Sequence, residues 1–316
     1  MAKYRTLLPQ VNREEIFLTD GGLETCLIFH DKIDLPHFAA FDLLKNATGR
    51  DQLRTYYRRY VEIARDAGLG YILETPTWRA SSDWGSKLGY DARRVTDMNH
   101  DAVALMMELR RDFETAKTPM VISGCIGPRG DGYVPANTMS ADEAETYHRP
   151  QIDAFRRAGA DMVTAITMNE SPEAIGIARA AASIDIPVVI SFTVETDGRL
   201  PTGETLKDAI ATVDLATCAA PTYYMINCAH PTHFDFLFDS NEPWLQRIQG
   251  LRTNASTLSH AELDEASDLD DGDPVDLGAR HAALRDKHPQ LIVMGGCCGT
   301  DHRHVKEICL ACMAVA

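Results

Sequence analysis

At 316 residues, 45% hydrophobic and 24% charged, the chain has a globular composition and the length of one large α/β domain. A net charge of −15, from 46 acidic and 31 basic residues, argues against nucleic acid as a partner, because phosphate binding needs clustered Lys and Arg. No apolar run approaches the roughly 18–20 residues of a membrane span and residues 1–10 hold no signal-type apolar core, so no membrane is expected and the chain is expected to be cytoplasmic. In that reducing compartment the eight cysteines are not a disulfide framework.

The first apolar run, Ile16 to Asp20, stops at Gly21 and Gly22. Residues 51–67 carry Leu53, Tyr56, Tyr57, Tyr60, Val61 and Ala64 at three- and four-residue steps, which predicts a helix ended by Gly68. Tyr71 to Thr75 is a strand stopped by Pro76, and 92–114 a long amphipathic helix. The pattern repeats with a strand at 120–125 and a loop at 126–132. The next helix opens on the capping pair Ser140 and Glu143 and carries Pro150 inside it. A strand at 161–167 precedes a helix expected to start with Ser171 as N-cap and Pro172 at its first position.

Strands follow at 187–193 and 223–228, with a helix at 205–219 between them. A partly helical return over 233–250 leads to a strand at 250–254. The acidic stretch 262–273 reads as a solvated surface loop, and 276–287 as a helix. The last strand, Leu291 to Met294, is expected to end at Gly295 and Gly296, before a helix over 301–313. Eight strand-like runs, each followed by a helical segment, imply a parallel sheet. Eight in about 300 residues fit a closed (β/α)8 TIM barrel, one α/β domain over 1–316.

In such a barrel the carboxyl ends of the strands share one rim, where chemistry is done. Asp20, Glu74, Cys125, Asn227, Cys228, Cys297 and Cys298 fall there. Three thiolates plus one open position would suit catalytic zinc, and Cys228, Cys297 and Cys298 supply three. The adjacent pair Cys297 and Cys298 also fits two small buried residues or a vicinal redox pair. Cys309 and Cys312 read as core of the last helix, Cys125 as packing. His230 and His233 read as loop surface, and His302 and His304 as caps or surface. Asp20, with little bulk beside it, suits an amine or a turn equally well.

Several segments together resemble the zinc-dependent homocysteine S-methyltransferase family. They are Asp-Gly-Gly at 20–22, Gly-Cys-Ile-Gly-Pro at 124–128, Ser-Phe at 191–192, Asn-Cys at 227–228 and Gly-Gly-Cys-Cys-Gly-Thr at 295–300. The resemblance implies a (β/α)8 barrel, Zn2+ on Cys228, Cys297 and Cys298, and a thiol acceptor positioned by Asp20 and Gly21, with Asn227 as a further substrate contact; Glu24 is a candidate contact outside the family's pattern. It implies transfer of a methyl group from a small-molecule donor to a homocysteine-like thiol, as in methionine formation. The chain ends soon after the eighth helix, which favours a freely diffusing sulfonium or quaternary ammonium donor.

Two positions depart from the family. Glu24 stands where relatives usually carry a small residue, and Ile166 stands where the family's fourth strand carries a Glu that helps hold the amino group of homocysteine. An aliphatic side chain cannot pair with an ammonium, and Glu170, Glu74 and Glu24 are the substitutes in view. Rival readings are a zinc-binding barrel homologue acting on a different thiol, and a metal-dependent hydrolase or lyase. The last calls for His and carboxylate ligands, which the rim lacks. The sequence fits a homo-oligomer as well as a monomer.

Overall fold

Eight parallel strands pair in chain order and close on themselves in the computed structural model, which describes residues 2–12, 15–135 and 138–315. They are β1 (Phe17–Leu18), β2 (Gly70–Glu74), β3 (Met120–Ile126), β4 (Met162–Met168), β5 (Val188–Thr193), β6 (Tyr224–Asn227), β7 (Ile248–Thr253) and β8 (Val293–Gly296). Closure is made at β1, where Phe17 faces Gly70 of β2 on one side and Val293 of β8 on the other. The expected barrel is therefore present.

The outer helices are α1 (Ala47–Ala67), α2 (Ala92–Phe113), α3 (Ala141–Ala158), α4 (Ser171–Ala182), α5 (Leu206–Thr217), α6 (Pro274–Lys287) and α7 (His302–Ala314). The tyrosine-rich face of α1 is buried as its periodicity requires. The helix starts four residues earlier than that periodicity marks, because the Asn46 side chain accepts from Gly49 N. Gly68 ends it with φ of 69°, a left-handed cap. The capping box of Ser140 and Glu143 forms, and Pro150 lies within α3.

Several local expectations need correction, among them the end of the last strand, since Gly295 and Gly296 belong to β8. Ser171 is the first residue of α4 and not its cap. Its hydroxyl turns away to donate to Glu204 Oε2 at 2.5 Å. The return after β6 is three 3₁₀ turns, Pro231–His233, Asp235–Asp239 and Pro243–Arg247, two of them opened by a proline that lacks the donor a longer helix needs. The acidic stretch is not merely solvated: Glu262 completes a capping box with Ser259, Asp270 accepts from Ser256 Oγ at 2.5 Å, and Asp273 caps α6. His230 and His233 are buried, the first on the Thr232 hydroxyl at 2.8 Å and the second on the Thr257 carbonyl at 2.9 Å.

The barrel interior is layered. Its lower end is apolar, with Phe17, Ile72, Val121, Met162, Val189 and Val293 packed together and Leu8 of the amino-terminal segment inserted among them. Higher up it is polar: the Ser123 and Thr164 hydroxyls meet at 2.7 Å, and Ser191 Oγ donates to Asn227 Oδ1 at 2.6 Å. A dry floor excludes water and leaves the polar groups at the carboxyl-terminal rim, where they can meet a ligand.

Candidate metal centre

Pairing of β6 and β8 with the two edges of β7 brings them to one side of this rim. The Sγ atoms of Cys228, Cys297 and Cys298 all lie within 4.8 Å of one another. Cys228 and Cys297, 69 residues apart, have Cα atoms separated by 5.4 Å, and their sulfurs are in disulfide contact. A tetrahedral ion with bonds of about 2.3 Å keeps its sulfur ligands roughly 3.8 Å apart, so small rotations of these side chains suffice to seat one. Three soft donors with no carboxylate among them match zinc or another thiophilic ion. Burial raises the Cys298 thiol above its ordinary pKa, so a cation is what would draw off its proton.

The backbone around these sulfurs is tightly built. Cys297 N donates to Thr253 O at 2.8 Å and Cys228 N to Arg252 O at 3.0 Å. The turn after β8 closes with Thr300 Oγ1 donating to Cys297 O at 2.7 Å and Gly299 at φ of 78°. Gly21 and Gly22 lie against this turn: a Cβ on Gly22 would stand 2.5 Å from Cys297 O, and one on Gly21 2.8 Å from Thr300 O. The Asp-Gly-Gly sequence is thus required by contact between the β1 end and the cysteine turn.

Cys228 has φ of 53°, and Thr167 across from it φ of 67°, an unusual conformation for a β-branched residue. Asn227 spans the two strands: its Oδ1 accepts from Thr167 N at 3.0 Å, and its Nδ2 donates to Thr167 Oγ1 at 2.9 Å. The β4 ladder is irregular between Ala165 and Met168, so Ile166 and Thr167 sit on a bulge. Bulges of this kind re-aim side chains beside sites. Ile166 is buried, and its carbonyl accepts from Trp78 Nε1 at 3.2 Å.

The charges beneath the rim are also connected. Asp20 Oδ1 accepts from Arg252 Nη2 at 2.6 Å, and its Oδ2 from the Tyr56 hydroxyl at 3.1 Å. Burial raises Asp20 and the Arg252 guanidinium opposes that rise. Glu74, at the end of β2, is pushed up to about 7 by burial, and its Oε2 has no hydrogen-bond partner among the described residues. Glu24 is likewise pushed up to about 7 by burial. Glu170 lies elsewhere, at the start of α4, and burial raises it as well.

Two residues beside the sulfurs were not singled out in the sequence. His260 Nε2 donates to Cys228 O at 2.6 Å, and its Nδ1 faces Glu195 Oε1 at 3.0 Å. Tyr133, from the segment after β3, stacks on His260 with ring centroids 4.2 Å apart, and its hydroxyl lies 3.6 Å from Cys298 Sγ. Neither has a motif around it. The only signal was that each follows a barrel strand within about a dozen residues, as loop residues of this rim do. Cys26, Cys125, Cys309 and Cys312 are buried away from the cluster, and Cys218 is exposed.

A model of the homocysteine S-methyltransferase family matches residues 17–312. The chain is 24% identical over 340 residues to methionine synthase of Mycobacterium leprae, and 24% over 329 residues to that of Mycobacterium tuberculosis. It spans about a quarter of the length of those relatives. The metallated form of the homocysteine methyltransferase MmuM from Escherichia coli superposes with a TM-score of 0.73 at 20% identity, covering 98% of this chain and 99% of that one. The oxidized form of MmuM gives 0.72 at 19%, covering 96% and 97%. With a family model matched across almost all of the chain, this protein belongs to the homocysteine S-methyltransferase family.

Proposed function

We propose that the chain is a zinc-dependent S-methyltransferase that moves a methyl group from a sulfonium or quaternary ammonium donor to a homocysteine-like thiol. The observation that carries this reading is the convergence of three cysteine sulfurs at the carboxyl-terminal rim, with the family match behind it. Cys228, Cys297 and Cys298 would hold the ion. Zinc, when bound, lowers the pKa of an incoming thiol and so supplies the nucleophile at neutral pH.

The remaining work falls to the chain itself. Gly21 and Gly22 keep the β1 end close against the cysteine turn, leaving room for the acceptor. Asn227 fixes the strand pair that aims Cys228. Asp20 acts through its pairing with Arg252, as part of the polar surface under the acceptor. Glu24 offers a carboxylate to the acceptor's ammonium where β4 presents only Ile166. Tyr133 and His260 cover the sulfurs and exclude water.

The test is Cys298→Ser. Metal analysis of the purified variant should show loss of bound zinc, and methyl transfer from S-methylmethionine or betaine to homocysteine should fall below detection. A variant that keeps a full complement of zinc would overturn the ligand assignment.

A further inference from the structure

A chain of hydrogen bonds runs from β5 to one of the cluster sulfurs, and each of its steps has a fixed direction. The backbone N–H of Thr167 can only donate, and it does so to Asn227 Oδ1 at 3.0 Å. Ser191 Oγ donates to the same oxygen at 2.6 Å. These two donors fix the orientation of the Asn227 amide. Its Nδ2 then donates to Thr167 Oγ1 at 2.9 Å. Having accepted this bond, the Thr167 hydroxyl still has its own proton to give. Cys228 Sγ lies 3.8 Å from that oxygen. A metal-bound cysteine carries no proton, so in an occupied site the hydroxyl is the donor of this contact.

The local fold holds the hydroxyl in place. Thr167 sits on the β4 bulge with φ of 67°, a conformation that a β-branched residue adopts only where its surroundings enforce it. Its methyl group packs against Gly132, where a Cβ would stand 2.9 Å from Thr167 Cγ2. With the methyl on that side and two branches on Cβ, the side chain has little freedom left to turn its hydroxyl elsewhere. Ser191, Asn227 and Thr167 are all buried, so solvent does not compete for these bonds.

We infer that Thr167 is a positioning residue of the metal centre, whose hydroxyl donates a hydrogen bond to the Cys228 sulfur and ties it through Asn227 to β5. Such bonds orient a ligand and tune the metal it holds. This one restrains the sulfur that comes from β6 and draws negative charge from it. The inference deepens the proposed zinc site and rests on Cys228 being a ligand there. It also gives the strained backbone of Thr167 a purpose.

Cobalt(II) titration of the reduced protein tests it, because the thiolate-to-cobalt absorption band reports the charge on the sulfurs. Thr167→Val keeps the branched shape and removes the hydroxyl. Its band should move to longer wavelength, and competition with a chelator should show cobalt bound about tenfold more weakly or worse. Thr167→Ser keeps the hydroxyl and should return the band to its original position. Thr167→Ala against Thr167→Ser makes the same comparison without a β-branched side chain at the strained position, and the alanine variant should again absorb at the longer wavelength. A band in the same place with and without the hydroxyl overturns the role of Thr167 and leaves the metal site standing. Absence of any thiolate band in the unaltered protein sinks the metal site itself, and this role with it.

Discussion

Asp20 shows how a residue can be found in the sequence while its surroundings are not. Its place at the end of β1 was legible from the Gly-Gly that follows. Its partner Arg252 was not, because the two are 232 residues apart and no spacing records that meeting. Glu24 permits a direct test at this scale. Its ordinary pKa of 4.5 is pushed up to about 7 in the folded chain, chiefly by burial. Between those values the native state keeps a proton that the unfolded chain has given up, so its contribution lowers stability as pH rises from 4.5 to 7 and then levels off. Glu24→Gln removes this titration. Its melting temperature relative to the unaltered protein should be higher at pH 8 than at pH 5, and a difference independent of pH would remove the argument.

At the scale of elements, most strands and helices followed from periodicity and caps. The misses lay where packing overrode local preference. Gly295 and Gly296 were expected to end the last strand, yet they belong to β8. A Cβ on Gly295 would stand 1.9 Å from Thr19 Oγ1, and one on Gly296 1.9 Å from Thr300 Oγ1. These glycines let β8 lie close to the β1 end and the cysteine turn. Gly295→Ala should therefore destabilise the fold by about 1–3 kcal/mol through overpacking, read from urea denaturation. A neutral result would mean that Thr19 can move aside. The β4 bulge is a similar case: nothing in the run 161–167 announces it, because strand propensity is blind to a one-residue slip against β5.

For the whole molecule, assembly of the thiols is a tertiary event, since Cys228 follows β6, Cys298 follows β8, and both strands pair with β7 between them. Metal bound to such a site favours the folded state by mass action. Under reducing conditions, saturating zinc should raise the melting temperature by about 5 °C or more, and a chelator should reverse the gain. Cys298→Ser should lose most of the shift. An equal shift in that variant would place the stabilising ion elsewhere.

The barrel and the three rim cysteines were legible from the order of residues alone. Alternating strand and helix periods are local, and their repetition leaves few ways to close a parallel sheet. Cysteines at strand ends then fall on one rim whatever the details. Which polar and charged groups meet was settled by packing. Asp20 is engaged by Arg252, Cys228 is gripped through its carbonyl by His260, Tyr133 lies at the sulfurs, and Arg79 is stacked on two indoles. The physical reason is distance along the chain. Pairings between remote residues depend on register, bulges and rotamers, and these are set only when all eight strands are packed together.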